Sequence, residues 1–344
     1  MQYRNEEGKL SLDKKSIIMI AAFAAVYILW GSTYLAIKVG IETFPPFIMA
    51  GGRFFVAGSI LFFAAMRTAD FEWPKAVHWK TSFIVGTLLL LGGNGGVVIA
   101  SHYVSSSVTA LLVATEPFFI VILSWLWLKN GRPGSRTTLG LIVGFVGVAL
   151  LILGQANGGN SAVGGYGMWI GTVAVIAAAL SWAAGSIYGL KSPVPKSSML
   201  TAGMQMMAGG FVLLIVSIIR GEWWTVDVAA ISGRSWFAVG YLIVCGSLIG
   251  FTAYSWLLKN AQPSMVATYA YVNPVVAVIL GWGIAGESLT LQMLLGAVVV
   301  IASVALITSR KKAKPETEVE AGTEDVIHRS LTPSCNKPNY STSS

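Results

Sequence analysis

The sequence predicts an all-α, polytopic membrane protein with ten transmembrane helices, on the strength of its composition and the spacing of its apolar runs. Of the 344 residues, 55% are hydrophobic and only 11% are charged, whereas a soluble domain carries roughly 25% charged residues. So few charges cannot cover a water-facing surface for a chain of this length. Most of the surface must therefore face lipid.

The apolar runs are each close to the roughly 20 residues that a spanning helix needs. Charged residues or turn residues separate them, and most links are short, so consecutive helices should be antiparallel neighbours. The predicted spans are 17–36, 46–66, 82–101, 107–128, 137–154, 167–188, 199–219, 235–258, 264–284 and 290–308.

The basic residues predict the orientation in the membrane. With the N-terminus inside, the cytoplasmic loops and tails hold 19 of the Lys and Arg residues and the outer loops hold 3. Because basic loops resist translocation, both termini are predicted to be cytoplasmic. No basic cluster is interleaved with stacking aromatics, so nucleic-acid binding is not expected. The flanking segments are a polar N-terminal stretch, 1–16, and a disordered Ser/Thr/Pro-rich tail, 309–344.

No cofactor, metal or nucleotide site is predicted. Cys245 and Cys335 lie in different environments, and no metal-type cluster is present. The absence of a Walker-type loop indicates that ATP does not drive the protein directly. The three histidines, His78, His102 and His328, are expected in loops or the tail, and no nucleophile with a nearby base is evident. An intramembrane enzyme is therefore a weak hypothesis, and so are a channel and a signalling protein.

The two halves of the chain, 17–154 and 167–308, resemble each other. Ala50–Gly58 aligns with Ala202–Gly210 at an offset of 152 residues, and the same offset places Trp30 on Trp182. Later in each half, an offset of 157 residues places Glu116-Pro117 on Asn273-Pro274.

Each half would hold five helices, which is an odd number. The second unit therefore enters the membrane from the opposite face, and the repeats are predicted to be inverted. Inverted repeats are typical of transporters that open a central site to alternate sides.

Several segments resemble the EamA-type transporters of the drug/metabolite transporter superfamily. They are Trp30–Tyr34, Phe44–Pro46, Ala50–Phe54, Ser181–Trp182, Tyr269–Ala277 and Gly286–Thr290. The resemblance implies two inverted EamA units, 17–154 and 167–308, around a central cavity. It also implies export of amino acids, other small metabolites or drugs across the bacterial inner membrane. Glu116 departs from the family pattern, which often has a neutral residue before the proline, and this leaves the coupling ion open.

Two ionisable residues fall inside predicted spans, where charges are costly and usually functional. Glu116 is a candidate for proton coupling or for binding an amine. Arg53 either holds a substrate carboxylate or clamps helices, and its equivalent in the second half is Gln205. For Glu116 the alternatives are a structural pair with Arg53 or a position nearer the membrane interface than the predicted span implies.

Aromatic residues predict the wall of the cavity. Trp30 and Tyr34 share one helix face, and Trp182 and Tyr188 lie in the equivalent helix of the second half. Such rings suit flat or amphipathic substrates and attract amines. The alternative is the aromatic belt at the membrane interface. Lys38, at the end of the first helix, is expected to reach the outer surface.

Two polar breaks are predicted in the helices. Asn94 lies within a Gly-rich stretch, 92–96, which allows close packing or local unwinding. Tyr269, Tyr271 and Asn273 precede Pro274. The predicted substrate-binding residues are Trp30, Tyr34, Arg53, Asn94, Glu116, Trp182, Tyr188, Gln205, Tyr271 and Asn273, and the predicted hinges are Pro117 and Pro274.

The expected partners are a small-molecule substrate and the lipid bilayer. Protons join them if Glu116 couples transport to a gradient. A monomer and a homodimer are both compatible with the sequence, because ten helices can enclose a cavity without a second copy.

Overall fold

The structure, a computed structural model, describes residues 2–4, 10–12, 14–69, 71–128, 134–157, 165–261, 266, 269–287 and 289–308. The predicted tail, 309–344, lies outside these residues. At the N-terminus, strand β1 (Gln2–Arg4) pairs antiparallel with strand β2 (Leu10–Leu12), with Tyr3 opposite Ser11. The sequence predicts this segment only as polar.

The rest of the described chain is helical. The helices are α1 Lys14–Gly40, α2 Pro46–Ala65, α3 Ala76–Gly86, α4 Gly96–Ala100, α5 Ser106–Val113, α6 Glu116–Leu128, α7 Ser135–Asn157, α8 Gly165–Lys191, α9 Ser198–Ile219, α10 Glu222–Thr225, α11 Gly233–Tyr241, α12 Thr252–Asn260, α13 Tyr269–Ala285 and α14 Leu291–Thr308. A π-helical segment, π1 (Thr87–Gly95), joins α3 to α4, and a second one, π2 (Leu242–Phe251), joins α11 to α12. A short 3₁₀ turn spans Val228–Ala230.

Every predicted span overlaps helical residues of the structure, and three of the spans each cover more than one helical element. Among the described residues, seven helical segments are long and apolar enough to cross a membrane. The predicted fifth, ninth and tenth spans contain shorter apolar helices, Thr138–Gly147, Val272–Ala285 and Leu291–Ser303. The all-helical membrane class is confirmed, whereas the number of ten spans stays a prediction.

The third span begins earlier than predicted. The sequence places its start at residue 82, but α3 begins at Ala76 and its first turn contains His78, which was expected in a loop. The Nδ1 atom of His78 accepts a hydrogen bond of 3.3 Å from the Lys75 backbone nitrogen, as a helix cap. A polar capping turn of this kind has no apolar signature, so hydropathy does not detect it.

The two prolines predicted as hinges act differently on their helices. A two-residue turn at Ala114 and Thr115 separates α5 from α6, and Pro117 follows in the first turn of α6. Proline has no N–H to continue a helix and disfavours helical backbone just before it, which explains the break. Pro274, in contrast, lies inside the continuous helix α13.

Helices α2 and α9 pack backbone to backbone through four glycines. A Cβ on Gly51 would lie 3.1 Å from the Gly210 carbonyl oxygen, and one on Gly210 would lie 3.0 Å from that of Gly51. Gly58 and Gly203 approach each other in the same way, at 2.8 and 3.1 Å. Because Gly51 is equivalent to Gly203 and Gly58 to Gly210, exchanging the repeats exchanges these two contacts.

Other helix pairs follow the same exchange. Helix α1 packs on α13, and their repeat equivalents, α8 and α6, pack on each other. Helices α7 and α14, the last of each repeat, also form a pair, in which a Cβ on Gly147 would lie 2.9 Å from the Val300 nitrogen. Each half is therefore packed largely against the other half, and the contacts support the internal repeat.

Two carboxylates cap helices at one end of the bundle. The Oε2 atom of Glu222 accepts hydrogen bonds from the backbone nitrogens of Phe47 and Ile48, at 3.0 and 2.9 Å, in the first turn of α2. Glu287 caps α5: Oε1 accepts from the nitrogen and hydroxyl of Ser106, at 2.8 and 2.7 Å, and Oε2 from those of Ser107, at 3.1 and 2.6 Å. The Lys38 ammonium lies 3.2 Å from Oε1 of Glu287, so Lys38 joins this cap rather than only reaching the surface as predicted.

Gly210→Ala should destabilise the protein, because its new Cβ would lie 2.6 Å from the backbone nitrogen of Phe55, which no side-chain rotation can move. A loss of about 1–3 kcal/mol is expected for such overpacking. Gly52→Ala, on the opposite side of α2, meets nothing within 4 Å and is the matched control. Unfolding in detergent would measure both variants, and equal stabilities would contradict the packing described above.

Glu287 should make the stability of the protein depend on pH. Partial burial raises the pKa of its carboxyl. The hydrogen bonds from Ser107 and Ser106, together with the Lys38 charge, lower this pKa by more than burial raises it, so the pKa lies below its ordinary value. The stabilisation is then fully present above the unfolded pKa of about 4.3 and is lost as the pH falls through the lower folded pKa.

Thermal unfolding of the protein and of Glu287→Gln between pH 3 and pH 7 would measure this effect. The difference between the two should shrink toward zero at acid pH. Glu42→Gln, at an exposed carboxylate, should show a much smaller difference, and a Glu287→Gln difference that does not change with pH would contradict the assignment.

Candidate substrate-binding cavity

A cavity lies between the two repeats and is lined by both. The space not filled by atoms has a volume of about 700 Å³, including the part open to the outside. The first repeat contributes Trp30, Thr33, Tyr34, Ile37, Arg53, Phe54, Gly93, Asn94, Val97, Val113 and Glu116, and the second contributes Ala178, Ala179, Trp182, Gly246, Ser247, Phe251 and Tyr269.

Aromatic rings from both repeats form one wall. The rings of Trp30 and Trp182 meet edge to face, with centroids 5.8 Å apart. Trp30 also contacts Tyr254 at 4.9 Å and Tyr269 at 5.5 Å. Such packed pairs hold one another in place and leave π faces for flat or cationic groups.

Each of the two tryptophans rests on a glycine of the other repeat. A Cβ on Gly93 would lie 2.7 Å from the Trp182 ring, and one on Gly250 would lie 2.6 Å from Nε1 of Trp30. These are equivalent pairs, because Gly93 and Gly250 are 157 residues apart and the tryptophans 152. The Gly-rich stretch therefore serves close packing within a π-helical turn. Trp30 also donates a hydrogen bond of 3.1 Å from Nε1 to the Gly246 carbonyl oxygen of π2.

Arg53 is a buried cation with a fixed direction. Its Nη2 atom donates a hydrogen bond of 2.9 Å to Oδ1 of Asn94, and its guanidinium carbon lies 4.2 Å from the centre of the Phe54 ring. The Nε atom has no hydrogen-bond partner among the described residues. The guanidinium thus links α2 to π1 and keeps donor capacity for another acceptor.

Glu116 is a buried carboxylate that, among the described residues, is held by the side chain of Tyr269. The hydroxyl of Tyr269 donates to its two oxygens, at 2.9 and 2.8 Å. The ion pairs of the described residues join Lys38 to Glu287, Lys196 to Glu72 and Arg234 to Glu42. They include neither Arg53 nor Glu116, so the structural pair weighed from the sequence does not form.

The predicted binding residues divide into two groups. Six of them, Trp30, Tyr34, Arg53, Asn94, Glu116 and Trp182, line the cavity. Tyr188 and Gln205 are not in its lining; Tyr188 packs against the hydrophobic core instead. Asn273 is buried outside the lining, with Oδ1 unpaired among the described residues. The side chain of Tyr271 lies outside the described part of the structure.

Sequence reasoning missed several lining residues. Thr33 and Ile37 follow Trp30 at helical spacings of three and seven residues, which was the available signal. Tyr269 appears in the sequence only as part of a polar break. Nothing in the sequence indicated that its hydroxyl would bind Glu116, 153 residues away. Ser247 is a single hydroxyl within an apolar run and gave no signal of its own.

Comparison with known proteins decides the family. The model of the EamA-like transporter family matches residues 16–153 and 169–309. The chain belongs to this family. The two matched segments are the two halves that the internal repeat and the helix contacts relate to each other.

Relatives of this EamA-like transporter extend over most of its length. It is 38% identical over 305 residues to "Uncharacterized inner membrane transporter YedA" of Escherichia coli (strain K12), covering 88% of this chain and 94% of YedA. It is 26% identical to "Probable amino-acid metabolite efflux pump" of Salmonella typhimurium (strain LT2), covering 80% and 90%. A solved structure described as "Crystal structure of protein" has 18% identity, a TM-score of 0.59 and coverage of 84% and 95%, and shares the fold.

A double-mutant cycle should detect the Tyr269–Glu116 hydrogen bonds. Tyr269→Phe removes the donor of these hydrogen bonds, and Glu116→Gln changes their acceptor. The effects of the two substitutions on the free energy of unfolding should therefore not add. We expect a coupling of about 1–3 kcal/mol. The matched control is Tyr241→Phe, which removes a hydroxyl bonded to Ser32 instead. Its effect should add to that of Glu116→Gln, and additivity for Tyr269→Phe would contradict the geometry.

Proposed function

We propose that this EamA-like transporter exports small zwitterionic or amphipathic metabolites, amino acids and related compounds above all, across the bacterial inner membrane. The observation that carries this proposal is the presence of both Arg53 and Glu116 in the lining of one cavity without an ion pair between them. A molecule with a carboxylate and an ammonium group can neutralise both.

The chemistry of each side chain supports this assignment. An isolated charge in a membrane interior is costly unless it is paired. The Nε donor of Arg53 has no partner in the described part of the chain, and it suits a carboxylate because guanidinium donors match carboxylate oxygens. Glu116 would accept from an ammonium group, and the rings of Trp30 and Trp182 would hold the remainder of the molecule.

Alternating access would move the substrate. The contacts of α2 with α9, and of α7 with α14, support two repeats that exchange roles about a central axis. In the proposed topology these are ten spans in two inverted units with both termini cytoplasmic, which agrees with the distribution of Lys and Arg. One copy of the chain encloses the cavity, so a monomer would suffice.

The relatives agree in direction with this proposal. The Salmonella protein is named an amino-acid metabolite efflux pump, and YedA is named an inner membrane transporter. We extend export and the inner-membrane location from those names to this chain as parts of the proposal.

A proton-coupled multidrug antiporter is the second candidate. The observation that favours it is the burial of Glu116, which is 3% exposed and faces the cavity. A carboxylate that exchanges a proton for a cationic drug would drive export with the proton gradient. In this alternative, Arg53 has only a structural role between α2 and π1.

Transport by purified protein in liposomes would distinguish the two candidates. Labelled amino acids and a cationic drug would be offered with and without a pH gradient. For the zwitterion exporter, Arg53→Gln and Glu116→Gln should each reduce amino-acid transport at least about tenfold, because each leaves one substrate charge unpaired.

Arg53→Gln is a suitable substitution because Gln205 occupies the equivalent position of the second repeat, so glutamine is compatible with this place in the helix. The matched control is Glu42→Gln, at a carboxylate outside the cavity, which should transport normally. Amino-acid transport unchanged in both cavity variants would refute the proposal. Drug accumulation that requires a pH gradient and Glu116 but not Arg53 would establish the antiporter instead.

A further inference from the structure

The cavity is lined unequally by the two repeats, although they correspond residue by residue. Arg53 and Phe54 of α2 line it, whereas their equivalents 152 residues later, Gln205 and Met206 of α9, do not. The cavity thus extends along α2 but does not extend along the equivalent part of α9.

The π-helical segments show the same difference. Gly246 and Ser247 of π2 line the cavity, whereas their equivalents 157 residues earlier, Leu89 and Leu90 of π1, do not. In the proposed inverted topology, equivalent residues lie toward opposite membrane faces. The cavity therefore opens toward the face where α2 begins and is closed toward the face where α3 begins.

Two glycines make the contact on the closed side. A Cβ on Gly86, at the end of α3, would collide with the Gln205 carbonyl oxygen and lie 2.9 Å from the Gly209 nitrogen. A Cβ on Gly209 would collide with the Gly86 oxygen and lie 2.8 Å from its carbonyl carbon. All these atoms belong to the backbone, so α3 and α9 meet without intervening side chains.

The open side cannot form the same contact. The equivalents of Gly86 and Gly209 are Ile243 and Ala57, 157 residues later and 152 residues earlier. Their side chains would keep α2 and the start of π2 further apart than α9 and α3 are.

We infer that the Gly86–Gly209 contact is the gate that closes the cavity on the cytoplasmic side and makes the outward-open arrangement the resting state. This inference rests on the proposed alternating-access function. In the opposite state, α3 and α9 separate and expose Leu89, while α2 closes the other side and covers Thr33.

Cysteine labelling would test the gate without any substrate. In a background of Cys245→Ala and Cys335→Ser, single cysteines would be introduced as Leu89→Cys or Thr33→Cys, at a buried position of π1 and at a partly exposed position of the cavity lining. A membrane-impermeant maleimide would be applied to inside-out vesicles for the first and to intact cells for the second. Adding Gly209→Ala should raise labelling at position 89 roughly tenfold and lower labelling at position 33, as expected for a shift between two populations.

A second variant avoids added bulk at the closed contact. Ile243→Gly removes the side chain that holds the open side apart, so it should shift both labelling rates in the same directions as Gly209→Ala. It also decides the question if Gly209→Ala does not fold. The controls are Gly52→Ala and Gly240→Ala, whose Cβ atoms meet nothing within 4 Å; both should leave the rates unchanged.

Three outcomes would overturn the gate: unchanged labelling in both variants, a rise at both positions, or a rise at position 89 in the controls. The first would show that the contact does not set the resting state, and the others would show general loosening. A protein that labels as expected but transports none of the tested solutes would refute the proposed substrate and leave the gate supported.

Discussion

Close approach of helix backbones is the constraint on which the rest of the structure depends. In lipid, helices gain little from hydrophobic association and are held mainly by van der Waals packing, for which small residues are needed. Helices α2 and α9 meet at Gly51, Gly58, Gly203 and Gly210. Because these positions are related by the repeat, the Gly51–Gly210 contact is equivalent to the Gly203–Gly58 contact. The two halves are therefore joined through α2 and α9 in a symmetric way. The cavity is the space that remains beside this joint.

The apolar surroundings also determine where polar groups can lie. At the ends of the helices, Glu222 and Glu287 satisfy backbone N–H groups that would otherwise lack partners. Inside the cavity, Arg53 and Glu116 have side-chain partners but no opposite charge within ion-pairing distance among the described residues. The end carboxylates thus have their acceptors occupied by helix ends, whereas the cavity charges keep capacity for a ligand.

Much of the fold and part of the site could be predicted from the sequence. Apolar length located the helices, and the shared offsets identified the repeat and placed Trp30 and Trp182 together. The π-helical turns and the Tyr269–Glu116 hydrogen bonds could not be predicted, because they depend on contacts between distant segments. Gln205 shows a different limit. Its equivalence to Arg53 predicts a place in the cavity, but in this conformation Arg53 lines the cavity and Gln205 does not.

The repeats are similar in backbone but not in charge, and this bears on the energetics of the proposed cycle. The second repeat has Gln205 and Asn273 where the first has Arg53 and Glu116, so the two access pathways present different groups to a zwitterion. The affinity for the substrate would then differ between the two states. A ligand can shift the equilibrium between the states by no more than this difference in affinity. Unequal affinities cannot by themselves move solute against its gradient. Net export against a gradient therefore needs a coupled ion, and Glu116 is the lining residue whose charge a proton could change.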